Sequence, residues 1–145
     1  MTELQILFER DLNKLKSEIE QYPTDESLWI IKDGISNSGG NLCAHLCGNL
    51  RHFVGKNIGD DGYVRDRERE FSVKGLSRQE LIAEIDNTID AVTRVLQNIS
   101  ESDLDASYPD RIPIPDTNTR HVLLHLYAHL SYHLGQINYH RRLLT

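Results

Sequence analysis

Four stretches of this chain repeat apolar side chains every three or four residues, and prolines and glycines punctuate the intervals between them. That pattern confines the fold to amphipathic helices that must bury their stripes against one another. The first stretch covers residues 3–22, with Leu4, Leu7, Phe8, Leu12, Leu15 and Ile19 on one face, and Pro23 stops it. The second is capped by Ser36, Asn37 or Ser38, carries Leu42, Leu46, Leu50 and Phe53, and runs to Asn57 before Gly59. The third has the clearest start: Ser77 and Glu80 make a capping box, and Leu76 with Leu81 a hydrophobic staple. Leu81, Ile85, Val92, Leu96 and Ile99 carry its stripe onward. Residues 100–116 hold Pro109, Pro113 and Pro115, which exclude helix, and Thr117 or Asn118 opens a fourth helix of about 25 residues. Strand patterning is nearly absent, since residues 111–115 are too rich in proline for a central strand. The expected fold class is all-α: one four-helix bundle domain over residues 1–145.

Charge narrows the function classes. A net charge of -6 argues against a phosphate-neutralising face, so no nucleic acid is expected as partner. No apolar run approaches the roughly 20 residues that span a bilayer, so no membrane is expected either. The first residues do not have the form of a secretion signal, which predicts a reducing, cytoplasmic setting. Cys43 and Cys47 fit that setting. Their four-residue helical spacing suits a disulfide poorly and reads as small packing residues.

Histidine placement is the chemical signal. Five of the seven histidines lie in the last 25 residues, at His121, His125, His129, His133 and His140. With His125 at 0° and about 100° per residue, Val122, Leu126, Leu130, Ile137 and Leu144 fall between about 60° and 140°. His133 falls near 80° and His129 near 40°, so these two share the inward arc in the spacing His-x-x-x-His. Buried imidazoles need partners, and a divalent cation satisfies one nitrogen of each ring at once. On the second helix His45 lies at the edge of the apolar arc and His52 further out, which makes His45 the better third ligand. Asn49 lies nearer the inward face and reads as a residue behind the ligands, with His125 and Gln136 in the same class. Gly135 offers a place for a neighbouring helix to approach. The plain alternative is a set of hydrogen-bonded core histidines.

The alternating run at residues 65–70 reads most simply as an exposed, self-compensating loop. Its functional reading is anion recognition by Arg65 and Arg67. No glycine-rich phosphate cradle, CxxC pair or His-Glu-x-x-His motif is present, and the last absence argues against a zincin-type protease.

Several of these pieces together resemble the DinB/YfiT-like superfamily. They are Ser36-Asn37-Ser38-Gly39-Gly40-Asn41-Leu42, His45-Leu46-Cys47-Gly48-Asn49, the stretch from Arg65-Asp66-Arg67-Glu68 to Phe71, and His129-Leu130-Ser131-Tyr132-His133-Leu134-Gly135-Gln136-Ile137. The resemblance covers nearly the whole chain. It implies a four-helix bundle, a homodimer, and a divalent metal (zinc, nickel or iron) held by His45, His129 and His133. It also implies metal-dependent transfer chemistry with a low-molecular-weight thiol and a small-molecule electrophile, and no nucleic-acid chemistry. Three neutral imidazoles leave open positions for thiol or water, so metal-dependent hydrolysis is the competing enzymatic reading. A non-catalytic metal-binding or dimerisation module is the other alternative.

Overall fold

The computed structural model describes residues 2–114 and 116–144, and Pro115, the last proline expected to exclude helix from its loop, lies outside them. Among the described residues the fold is all-helical, with six α-helices and no strand beyond an isolated bridge between Ser107 and Asn118. Four are long: α1 (Glu3–Glu20), α2 (Gly39–Leu50), α4 (Arg78–Asn98) and α6 (Thr119–Leu143). Two are short: α3 (Arg67–Ser72) and α5 (Glu101–Asp105). The starts follow side-chain caps. Thr2, Ser38, Ser77 and Asn118 each accept a backbone N–H from the first turn, and Ser77 with Glu80 completes the expected capping box.

Both α1 and α2 pack on α4 and α6, and the four apolar stripes meet in one core. Phe8, Leu12, Leu15 and Ile19 come from α1, Leu42, Leu46 and Leu50 from α2, Leu81, Ile85 and Val92 from α4, and Val122, Leu130 and Ile137 from α6. Among the described residues no helix is long and apolar enough to cross a membrane.

Three differences from the sequence reading have physical causes. First, α2 has no solvent face: every residue from Gly39 to Leu50 is buried, because α3 and the Trp29 turn cover the side that α4 and α6 leave open. Its small residues permit this; a Cβ at Gly40 would overlap the Trp29 ring. The helix continues as a π-helical turn, Arg51–Lys56, rather than as α-helix to Asn57. Second, residues 65–70 are exposed from Asp66 to Arg69 but are helical from Arg67 on and do not compensate one another alone. Asp66 caps α3, which folds onto α2 and buries Glu70. Third, the segment after α4 holds the short α5, built on a Ser100–Asp103 capping box with Leu104 buried beneath it.

Candidate metal centre

The packing of α2 on α6 brings His45 against His129 and His133. His45 Nε2 lies 3.2 Å from His129 Nε2, and His133 Nε2 lies 3.1 Å from the same atom. The rings stand edge to face, with interplanar angles of 82°, 86° and 90°. Nitrogens that share one tetrahedral ion at about 2.0–2.1 Å sit roughly 3.3 Å apart. The observed separations are close to that value, so the cluster has the spacing of a common ligand sphere.

The far side of each ring decides its tautomer. Nδ1 of His45 lies 3.0 Å from Glu70 Oε1. An ionised carboxylate only accepts, so Nδ1 carries the proton and Nε2 presents its lone pair to the cluster. Glu70 is itself gripped by the Arg65 fork, with Arg65 Nε donating to Oε2 at 2.8 Å and Nη2 to Oε1 at 2.9 Å. Gly48 makes room for this pair: a Cβ there would overlap the Glu70 carboxylate. The Phe71 ring covers His45 at 4.7 Å between centroids. On α6, Nδ1 of His133 lies 2.7 Å from Gln136 Oε1, an amide oxygen that sets the same tautomer. His129 is different. Its Nδ1 is buried without a partner, and so is Asn49 Oδ1, one turn of α2 beyond His45.

Electrostatics keep the rings in their ligating form. Burial, reinforced by charge on His133, His45, His125 and Arg65, pulls the His129 imidazole down to about 4. Burial also lowers His133, against the Gln136 hydrogen bond that raises it. Both are neutral near pH 7, as metal binding requires. Burial pushes the Glu70 carboxyl up, but the hydrogen bonds from His45 and Arg65 outweigh it, so Glu70 stays ionised.

A family model described as "Protein of unknown function (DUF1572)" matches residues 2–145. The chain belongs to that family. Among curated proteins, none matches it. The family's description carries no activity.

His45, His129 and His133 are the described residues whose ligand atoms converge, all within 4.8 Å of one another. Three neutral imidazoles around one point suit a borderline divalent ion. Gln136 joins them through His133, and Asn49 is buried beside α2's ligand. His125 and His121 are exposed. His52 sits against Phe53, outside the cluster. Arg65 spends its donors on Glu70 rather than on a solvent anion, and Arg67 is exposed over the Phe71 ring. Among the described residues no helix uses the close approach expected at Gly135, where a Cβ would meet nothing within 4 Å. Cys43 and Cys47 are free and buried, and a hydrogen bond between them together with burial pushes the Cys43 thiol well up.

Sequence reasoning missed Glu70, the group that orients His45. Charge alternation hid it, since a Glu between arginines looks solvated. The usable signs were Phe71 and Val73, apolar residues at the end of the run, and Gly48 one turn after His45.

Proposed function

We propose that this chain is a metal-dependent transferase that joins a low-molecular-weight thiol to a small electrophile, on a four-helix bundle of the DinB/YfiT-like type spanning residues 1–145. In this reading His45, His129 and His133 hold one divalent ion, zinc, nickel or iron. The observation that carries it is the convergence of three imidazole Nε2 atoms, two with tautomers fixed from behind by Glu70 and Gln136. The ion would supply Lewis acidity that favours the thiolate of a bound thiol. The remaining work belongs to the protein. Arg65 and Glu70 hold the His45 ring, Gln136 holds His133, and Phe71 shields His45 from water. Asn49 is assigned only a place beside the cluster, since its Oδ1 and the Nδ1 of His129 are each buried without a hydrogen-bond partner. The exposed His125 adds positive field when protonated and no ligand atom.

The reading extends to a homodimer. Leu124, Tyr132, Tyr139 and Leu143 stand exposed along one face of α6, and Gly135 lies in the same stripe. A second copy seated there would cover it. A cytoplasmic setting, where small thiols are abundant, suits two reduced cysteines. One observation favours a non-catalytic reading: a proton on His129 Nε2 can be shared between His45 and His133, which satisfies the cluster without metal.

Elemental analysis of tag-free protein purified without chelator separates the two, because only the metal reading predicts stoichiometric metal that is lost in His129→Ala. Thiol consumption against a panel of electrophiles then tests transfer, with release of acid from ester or amide substrates as the sign of hydrolysis instead. Protein that stays metal-free and melts unchanged with added zinc, nickel or iron would overturn the proposal.

A further inference from the structure

The histidines of α6 do not stop at the cluster. His121 and His125 precede His129 and His133 on the same unbroken helix, each four residues from the next. A four-residue step advances about 6 Å along a helix and turns about 40° around it. The four rings therefore wind from the solvent face toward the seam. His121 and His125 are exposed, His129 and His133 are half-buried, and His45 beyond them is buried.

The two outer rings are chemically idle. His121 bonds Asn118 Oδ1 through its backbone N–H alone, and neither imidazole has a hydrogen bond or ion pair among the described residues. From Thr119 to Leu143 the helix carries no Asp or Glu, so no carboxylate of its own ties them down. Arg120, the cation next to His121, is already neutralised by Glu101 at 2.7 Å and Asp105 at 3.1 Å. An approaching cation thus meets two free imidazoles and no unpaired positive charge beside them. Histidines four apart on one helix face, with Cβ atoms about 5–6 Å apart, are spaced to chelate one divalent ion.

We propose that His121 and His125 form an outer metal site that collects a divalent ion and passes it, through the His125 and His129 pair, to the triad. The proposal rests on the metal reading of His45, His129 and His133. Direction follows from ligand number: two imidazoles hold the ion outside, and three converge on it inside. Each step exchanges one imidazole for the next, about 6 Å further along α6. His125 gives no ligand atom to the resident ion and serves only on the way in.

Two measurements on tag-free, chelator-treated protein test this. In the first, His129→Ala breaks the triad, nickel is titrated, and the Leu124 methyl resonances, which lie between the outer pair, are followed by NMR. Saturable paramagnetic broadening is expected, and it should vanish when His121→Gln and His125→Gln are added. Should His129→Ala not fold, His133→Ala breaks the triad instead. In the second, the triad is intact and zinc is transferred from a chromophoric chelator in a stopped flow. His121→Gln with His125→Gln should slow uptake roughly tenfold or more, because the local concentration of ion is lost, and leave the triad's equilibrium affinity unchanged. Both positions are exposed, so folding should not suffer. No broadening at Leu124, or equal uptake rates in wild type and double variant, overturns the proposal and leaves the triad's metal in place. Wild type that takes up no zinc overturns the metal reading and the hand-over together.

Discussion

His129 and His140 both sit on α6, both face inward, and both come from the same histidine-rich segment, yet they end in different chemistry. His140 has each nitrogen answered by the protein: Nε2 donates to the Ile30 carbonyl at 2.8 Å and Nδ1 accepts from the Tyr22 hydroxyl at 2.7 Å. His129 has one nitrogen buried with no partner and the other aimed at two more imidazoles. A core histidine is recognised by closure of both nitrogens within the fold; a ligand by what its second nitrogen lacks. Removing each in turn breaks the comparison most directly. His129→Ala should abolish stoichiometric metal binding, a larger loss than the roughly 10–100-fold expected from any outer partner. His140→Leu should leave metal content intact. Elemental analysis of the two variants side by side decides it, and metal lost equally from both would erase the distinction.

Glu70→Gln sharpens the same contrast from behind the ligand. The amide can still accept from His45 Nδ1 but loses its charge and one half of the Arg65 grip. Zinc affinity should fall about 10–100-fold, read by competition with a chromophoric chelator. An unchanged affinity would mean that His45 is positioned by packing against Phe71 alone.

The unequal legibility of the α6 histidines and His45 follows from what periodicity measures. Angular position along α6 turned His129 and His133 toward the side of Val122, Leu130 and Ile137, because α6 keeps a solvent face opposite those residues. The same arithmetic made His45 marginal, because it assumed a solvent face that α2 does not have. Caps at Ser77 and Asn118 were legible since capping chemistry is local. Glu70 and α3 were not, because burial of a charged side chain depends on a groove, a neighbouring Gly48 and an Arg65 that only the folded chain supplies. Tyr22 closing on His140 spans 118 residues of sequence and leaves no local mark.

Thermal stability separates the two histidines by sign. Zinc at 100-fold over its dissociation constant should stabilise the wild type by about 2.7 kcal/mol, or roughly 5–11 °C in Tm for a chain of this size. The increment should vanish in His129→Ala and persist in His140→Leu. His140→Leu, in contrast, strands the Ile30 carbonyl and leaves the Tyr22 hydroxyl only its 3.3 Å bond to the Ile137 carbonyl, at a cost of about 1–3 kcal/mol even without metal. Scanning calorimetry of both variants with and without zinc gives all four numbers. A zinc increment surviving in His129→Ala would place the metal elsewhere.

Acid provides the finest test, on metal-free protein. His129 titrates near its ordinary 6.5 when unfolded and at about 4 when folded, because burial and neighbouring charge oppose protonation. Between those values the unfolded chain holds the extra proton, so stability falls as pH drops from about 6.5 to about 4. Glu18 of α1 acts lower down. Burial pushes its carboxyl up, but hydrogen bonds from Arg141 and Asn138 on α6 hold it below 4.5. Its contribution is present above 4.5 and is lost as pH falls through the folded value. The acid limb therefore has two parts, an upper one from His129 and His133 and a lower one that includes Glu18 and Glu70. His129→Asn should make the upper part shallower and leave the lower, and Glu18→Gln the reverse, in urea midpoints measured across pH 3 to 7. A variant that flattened both would show that α6 responds as one unit, with the histidine cluster and the α1–α6 seam opening together.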